Sequence, residues 1–205
     1  MKIIIKKIID YYRRKRKLKN YGKDNFISHI PKGVKIFIYG NNNKILIDSS
    51  IRVFKCYMSI GDPSTYTNNC TIKIGKGSSS NGINIVLFED NSSVNIGEDC
   101  MFSWNIRIWN TDSHTIIDND SKKAINIGKE INIGNHVWVC MDTCILKNTK
   151  ISSNSIVAAG TIVTKKFNEE NIIIGGNPSR IIKKGINWNS KRVNEYLKTP
   201  LLKNS

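Results

Sequence analysis

A chain of 205 residues can bury a sizeable core, and one domain with appendages fits that length better than two. No apolar run reaches the roughly 18 residues that span a bilayer, and the charged start MKIIIKKIIDYYRRKRK lacks a signal-peptide core and cleavage site. The 32 Lys and Arg against 16 Asp and Glu leave a net charge of +16, which favours anionic partners: nucleic acid, an acidic membrane leaflet, a phosphorylated cofactor or an acidic polymer.

No helix-turn-helix, zinc-finger or aromatic-basic RNA-binding signature accompanies that charge, so nucleic acid is set aside. The five cysteines, Cys56, Cys70, Cys100, Cys140 and Cys144, are odd in number and show no C-x-x-C spacing. Packed, reduced thiols in a cytoplasmic protein are the expectation, with no metal.

In chain order, residues 1–33 read as a basic N-terminal helical segment. Ile4, Ile5, Ile8, Ile9, Tyr11 and Tyr12 lie among Lys and Arg, and the cluster Arg13 to Lys17 follows. Two uses stay open: a peripheral anchor on the anionic inner face of the membrane, or a cap on the end of the core. Residues 34–95 are β-rich but ragged, with alternation in Val34, Ile36 and Ile38 and again in Ile45 and Ile47. Aliphatic-Gly dipeptides recur at Ile60-Gly61, Ile74-Gly75, Ile96-Gly97, Ile127-Gly128 and Ile133-Gly134.

The stretch from Ile127 to Val163 sets the architecture. Every sixth residue, Ile127, Ile133, Val139, Ile145, Ile151, Val157 and Val163, is a branched aliphatic. Small or β-branched residues follow four places later at Val137, Thr143, Thr149, Ser155 and Thr161. Neither a helical period of 3.6 nor a strand period of two yields this pattern. A period of six predicts an all-β solenoid of short strands and tight corners, whose aliphatic column is buried only when coils stack about 4.8 Å apart.

Ile96, Phe102 and Ile108 hold the same frame, and the next position in it is His114. There the sequence TDSHTIIDNDSKKA abandons the repeat, which predicts a polar excursion loop over residues 110–126. Downstream, an aliphatic triplet, Gly175-Gly176 and Asn177-Pro178 suggest a last strand and a turn. Residues 185–205 are expected to pack back on the solenoid as a helical tail.

The repeated Ile133-Gly134 frame, the loop Trp109 to His114, Asn135-His136-Val137-Trp138, Ala158-Ala159-Gly160 and Gly176-Asn177-Pro178-Ser179-Arg180 resemble the hexapeptide-repeat acyltransferases. More narrowly, they are similar to the branch that O-acetylates bacterial surface polysaccharides, sialic acid capsules included. The resemblance runs from about residue 96 to residue 184. It implies a left-handed parallel β-helix over residues 34–184, three hexapeptides to a coil, as a homotrimer with sites between subunits. It also implies acetyl-CoA as donor and a sugar hydroxyl as acceptor.

Carried over residue by residue, the resemblance makes His114 the catalytic base and puts Trp138 beside the thioester. Backbone and small side chains around Ala159, Gly160 and Thr161 would take the pantetheine arm, and Lys165, Lys166 and Arg180 would approach the phosphates. Asn84 is placed roughly where related sugar acetyltransferases hold an acceptor-binding Asn, and Trp109 is a second candidate acceptor contact. Trp109 and Trp138 are equally readable as packing residues, and His136 as an outward-facing surface side chain. Val139-Cys140 departs from the usual aliphatic-Gly.

The chemistry suits the residues. An imidazole with an ordinary pKa near 6.5 takes the proton from an attacking hydroxyl and returns it to the departing thiolate. Asp112 or Asp118 would fix the ring tautomer. A backbone N–H or the Trp138 indole would serve the oxyanion. No G-x-S-x-G elbow points to a covalent route. The alternatives are N-acetylation of an amino sugar nucleotide, a γ-class carbonic anhydrase, or a basic solenoid that binds acidic glycan or membrane without chemistry. The anhydrase needs three histidines around zinc with two close in sequence, and only His29, His114 and His136 are present.

Overall fold

A computed structural model describes residues 17–198. It is a three-sided parallel β-solenoid. The first face carries β1 (Leu18–Asn20), β3 (Lys32–Ile38), β5 (Val53–Ile60), β8 (Ile83–Leu87), β11 (Ile106–Trp109), β14 (Cys144–Leu146) and β17 (Ile162–Val163). The second carries β2 (Phe26–Ile27), β4 (Lys44–Ile47), β6 (Thr71–Ile74), β9 (Ser93–Ile96), β12 (Glu130–Ile133), β15 (Lys150–Ile151) and β18 (Lys166–Phe167). On the third lie β7 (Ser79–Ser80), β10 (Met101–Phe102), β13 (Trp138–Val139), β16 (Ile156–Val157), β19 (Ile172–Gly175) and β20 (Arg180–Lys184).

The six-residue frame becomes three strands per turn. Ile133 pairs with Ile151, Ile145 with Val163 and Trp138 with Ile156, each 18 places on. Ile133, Val139, Ile145, Ile151, Val157 and Val163 are all buried, as are the small residues Val137, Thr143, Thr149, Ser155 and Thr161. Fully burying one such aliphatic contributes about 1.5–3 kcal/mol, so the column, not strand propensity, holds the coils together. Ile127 is a correction to the column: it is 52% exposed, because the chain has not yet returned to the solenoid there. The earlier coils are longer, with Ile38 opposite Ile60 and Ile60 opposite Leu87, since loops bulge from their corners.

Corners need left-handed backbone, and residue type supplies it. Asn42, Asn69, Asn91 and Asn148 turn the first face into the second, while Asn105, Asp142 and Gly160 turn the third into the first, all at φ between 54° and 70° or close to it. The aliphatic-Gly dipeptides have a separate cause. A Cβ on Gly97 would meet the carbonyl carbon of Gly134 at 2.6 Å, and one on Gly134 would meet the Ser153 nitrogen at 2.7 Å. Glycine lets successive coils touch.

Two expectations for the ends change. The helical reading of residues 1–33 does not hold over residues 18–33, because β1 and β2 add parallel to β3 and β4, with Leu18 opposite Ile36 and Phe26 opposite Lys44. Edge pairing of the solenoid overrides local helix propensity there, and the coils begin before residue 34. The basic cluster from Arg13 to Arg16 lies outside the described residues. At the other end β20 folds back antiparallel on β19 through the Asn177–Pro178 turn, whose peptide bond is cis. The tail does contain a helix, α1 (Val193–Leu197), yet no residue of it is buried. Trp188, before the helix, makes the attachment instead.

Among the described residues no helix is long and apolar enough to cross a membrane. All five cysteines are free. Burial pushes the Cys56 thiol far up and the Cys100 thiol up to about 11, so neither is a nucleophile at neutral pH.

Candidate active site

The chain leaves the solenoid after Trp109, at the corner between the first and second faces. Asn110 is buried, its N–H donating to the Val86 carbonyl at 2.9 Å and its side-chain amide to the Lys129 carbonyl at 3.4 Å. These two bonds close the base of the excursion. Its outer part is a narrow antiparallel arm with a bridge between Ile117 and Ala124. Asp118 turns the tip, accepting from both the N–H and the hydroxyl of Ser121 at 2.7 Å. That duty commits Asp118 to the tip, away from the histidine.

Asn126 holds the returning strand of the arm to its outgoing strand. Its amide nitrogen donates to Asp112 Oδ2 and to the His114 carbonyl, each at 2.8 Å, and its oxygen accepts from the Ile116 N–H at 2.9 Å. Lys147, at the corner after β14 on the neighbouring coil, forms an ion pair with the same Asp112 oxygen. Hydrogen bonds from Lys147 and then Asn126 hold the Asp112 carboxyl below the usual carboxylate range. Asp112 therefore fixes the loop's backbone, and among the described residues no hydrogen bond joins it to the imidazole. The His114 side chain is exposed, and its ring nitrogens have no partner among the described residues.

Under this clamp lies Glu89. Burial raises its pKa, a bond from Thr111 opposes the rise, and its Oε2 is buried without a partner among the described residues. The Asn110 side-chain oxygen is likewise buried and unpartnered. Lys147 and Glu89 escaped the sequence reading because only coil stacking brings them to the arm, and Asn126 because only the fold of the arm sets it against His114.

The other candidates occupy different walls. Asn84 and Trp109 both point outward from the first face, Asn84 on β8 opposite Arg107 and Trp109 on β11 opposite Val86. Trp138 is half-buried on the third face, its indole N–H 3.5 Å from Ser103 Oγ and its ring 6.1 Å from that of Trp188. Within one chain it does not meet His114. His136 is no bare surface residue: its ring stacks on Trp188 at 4.1 Å, Nε2–H donates to the Trp188 carbonyl at 3.1 Å, and Trp188 Nε1–H donates to the His136 carbonyl at 2.8 Å.

Ala159 and Gly160 are exposed on the corner between the third and first faces, and the space over the Gly160 Cα is open. The Thr161 side chain is buried in the core column, so only its backbone can line an outer wall. Arg180, exposed at the start of β20 opposite Gly175, lies toward that corner, for the Ile162 N–H donates to the Gly176 carbonyl at 3.3 Å. Lys165 and Lys166 stand one corner further round, Lys165 over the Phe167 ring and Lys166 3.9 Å from Glu130. Among the described residues no three His, Cys, Asp or Glu side chains converge as metal ligands would.

No protein-family model matches the chain, and no curated protein is similar to it. Solved structures are. The polySia-specific acetyltransferase NeuO is 28% identical over 89% of this chain and 90% of its own, with a TM-score of 0.69. The polysialic acid O-acetyltransferase OatWY is 27% identical over 85% of this chain and 93% of its own, with a TM-score of 0.70. A six-residue frame and three parallel faces, matched along nearly the whole chain by these two acetyltransferases, give the protein the left-handed parallel β-helix of the hexapeptide-repeat acetyltransferases.

Proposed function

We propose that the protein moves an acetyl group from acetyl-CoA to a hydroxyl of an acidic bacterial surface glycan, capsular or lipopolysaccharide, by direct transfer. The observation that carries this reading is the exposed His114 imidazole, with both ring nitrogens free, on a backbone clamped by Asn126, Asp112 and Lys147. The likeness to two enzymes of polysialic acid supports an O-linked, acidic acceptor.

His114 takes the proton of the acceptor hydroxyl as its oxygen attacks the thioester carbonyl. A backbone N–H or the Trp138 indole steadies the resulting oxyanion. The C–S bond then breaks, the proton passes from His114 to the departing thiolate, and the products are the O-acetyl ester and free CoA. Ala159, Gly160 and the Thr161 backbone receive the pantetheine arm, and Arg180 pairs with a phosphate through its planar fork. Lys165 and Lys166 serve the outer phosphate from the adjoining corner.

Because Trp138 and His114 occupy different walls of one chain, the complete site is assembled between neighbouring subunits of a homotrimer. Ile116, Ile117, Ile125 and Ile127 on the arm, each more than half exposed, suit such a contact. The enzyme works in the cytoplasm at the inner face of the membrane, where its positive charge favours the anionic leaflet. Thiol release from acetyl-CoA, followed across neutral, acidic and amino saccharides, tests the reading. Release with acidic saccharides that vanishes in His114→Ala is expected. Release with none of them contradicts it.

A further inference from the structure

The first face has an uneven charge distribution that the reaction itself does not require. Its seven strands carry Lys19, Lys32, Lys35, Lys55 and Arg107 and not one carboxylate. Asp62, Glu89, Asp112 and Asp142 sit at corners bounding the face. Lys19, Lys35, Lys55 and Arg107 are exposed and form no ion pair with any described residue.

Parallel register sorts the outward side chains into two files. One runs Lys35, Tyr57, Asn84, Arg107 and the other Lys19, Phe37, Ser59, Val86, Trp109. At about 4.8 Å per strand the files extend roughly 14–19 Å along the solenoid axis, more than one sugar ring. Aromatic rings lie among the cations: Phe37 and Tyr57 have centroids 5.2 Å apart, and Lys19 Nζ sits 5.5 Å over the Phe37 ring. Lys55, Tyr57, Gly82, Asn84 and Asn105 surround a shallow cavity of about 290 Å³ partway along. The second file passes on from Trp109 to Leu146, and Trp109 itself leads directly into the His114 arm.

We infer that this face is a track for an extended, carboxylate-bearing polysaccharide, whose distal units lie over Lys35 and Lys55 while one unit reaches the His114 arm. Cations meet the carboxylates, and aromatic rings take the apolar faces of the sugars. Pairing this face with the same face of a second copy would set like charges against each other, which disfavours a two-fold dimer as the use of the strip. The inference rests on the acidic acceptor proposed above and adds that affinity accumulates along the chain, away from the reacting unit.

The test uses the full chain and Lys35→Gln/Lys55→Gln, both checked by thermal melting. Affinity is measured for α2,8-linked sialic acid polymer, sialic acid dimer, a neutral dextran and duplex DNA, with salt titration. The polymer should bind far more tightly than the dimer, and the double variant should weaken polymer binding roughly tenfold and flatten its salt dependence. Dimer and dextran should bind weakly to both proteins alike. Polymer affinity unchanged by the double variant overturns the track, as does DNA outcompeting the polymer. Polymer bound through Lys35 and Lys55 without thiol release in any assay would keep the track and remove the transferase reading. Thiol release indifferent to acceptor length and charge would do the reverse.

Discussion

The side-chain amide of Asn126 donates a 2.8 Å hydrogen bond to the carbonyl oxygen of His114, so the returning strand of the arm fixes the backbone that carries the imidazole. Asn126→Ala leaves that carbonyl and the Asp112 carboxylate without this donor. Since a positioned base depends on geometry, kcat should fall about tenfold or more while KM for acetyl-CoA stays near its parent value. Steady-state kinetics with both substrates varied will separate the two constants.

Lys147→Met tests the same clamp from the neighbouring coil. It removes the cation that holds the Asp112 carboxyl low, so that carboxyl should titrate nearer its ordinary value. Because the folded pKa is depressed, the pair stabilises above the ordinary carboxylate value and loses this as pH falls through that range. The melting-temperature difference between parent and variant should therefore be constant at neutral pH and shrink on strong acidification.

Glu89 has the opposite sign. Burial raises its pKa, so its favourable contribution is present at low pH and is lost as pH rises through the folded value. Glu89→Gln should melt no lower than the parent at neutral pH and gain relative stability as pH increases from the acid range. Circular dichroism melts across pH 4 to about 8 read this directly.

Two glycines should respond differently. Gly97→Ala drives a methyl into the backbone of the next coil and should cost at least about 2 kcal/mol. Gly160→Ala meets open space and pays only for its left-handed φ of 70°, about 1 kcal/mol, but should raise KM for acetyl-CoA. Denaturant melts and coenzyme titration distinguish them.

The period of six made the coils legible in sequence, because a stacked core repeats its demands every corner. Ile133 to Val163 obeyed it throughout, whereas Ile127 fits the spacing while lying outside the core. Spacing cannot say on which side of a loop's end a residue falls. The arm that carries His114 was legible because the frame breaks there. Lys147 and Glu89 were not, since their nearness to Asp112 and Thr111 exists only after stacking. Trp188 was equally hidden, its link to His136 spanning 52 residues.

The most direct measurement is thiol release from acetyl-CoA with sialic acid polymer as acceptor, comparing the parent with His114→Ala. The account predicts a fall in kcat of about 10²–10⁴-fold with acetyl-CoA binding retained. A variant that turns over at the parent's rate would contradict it.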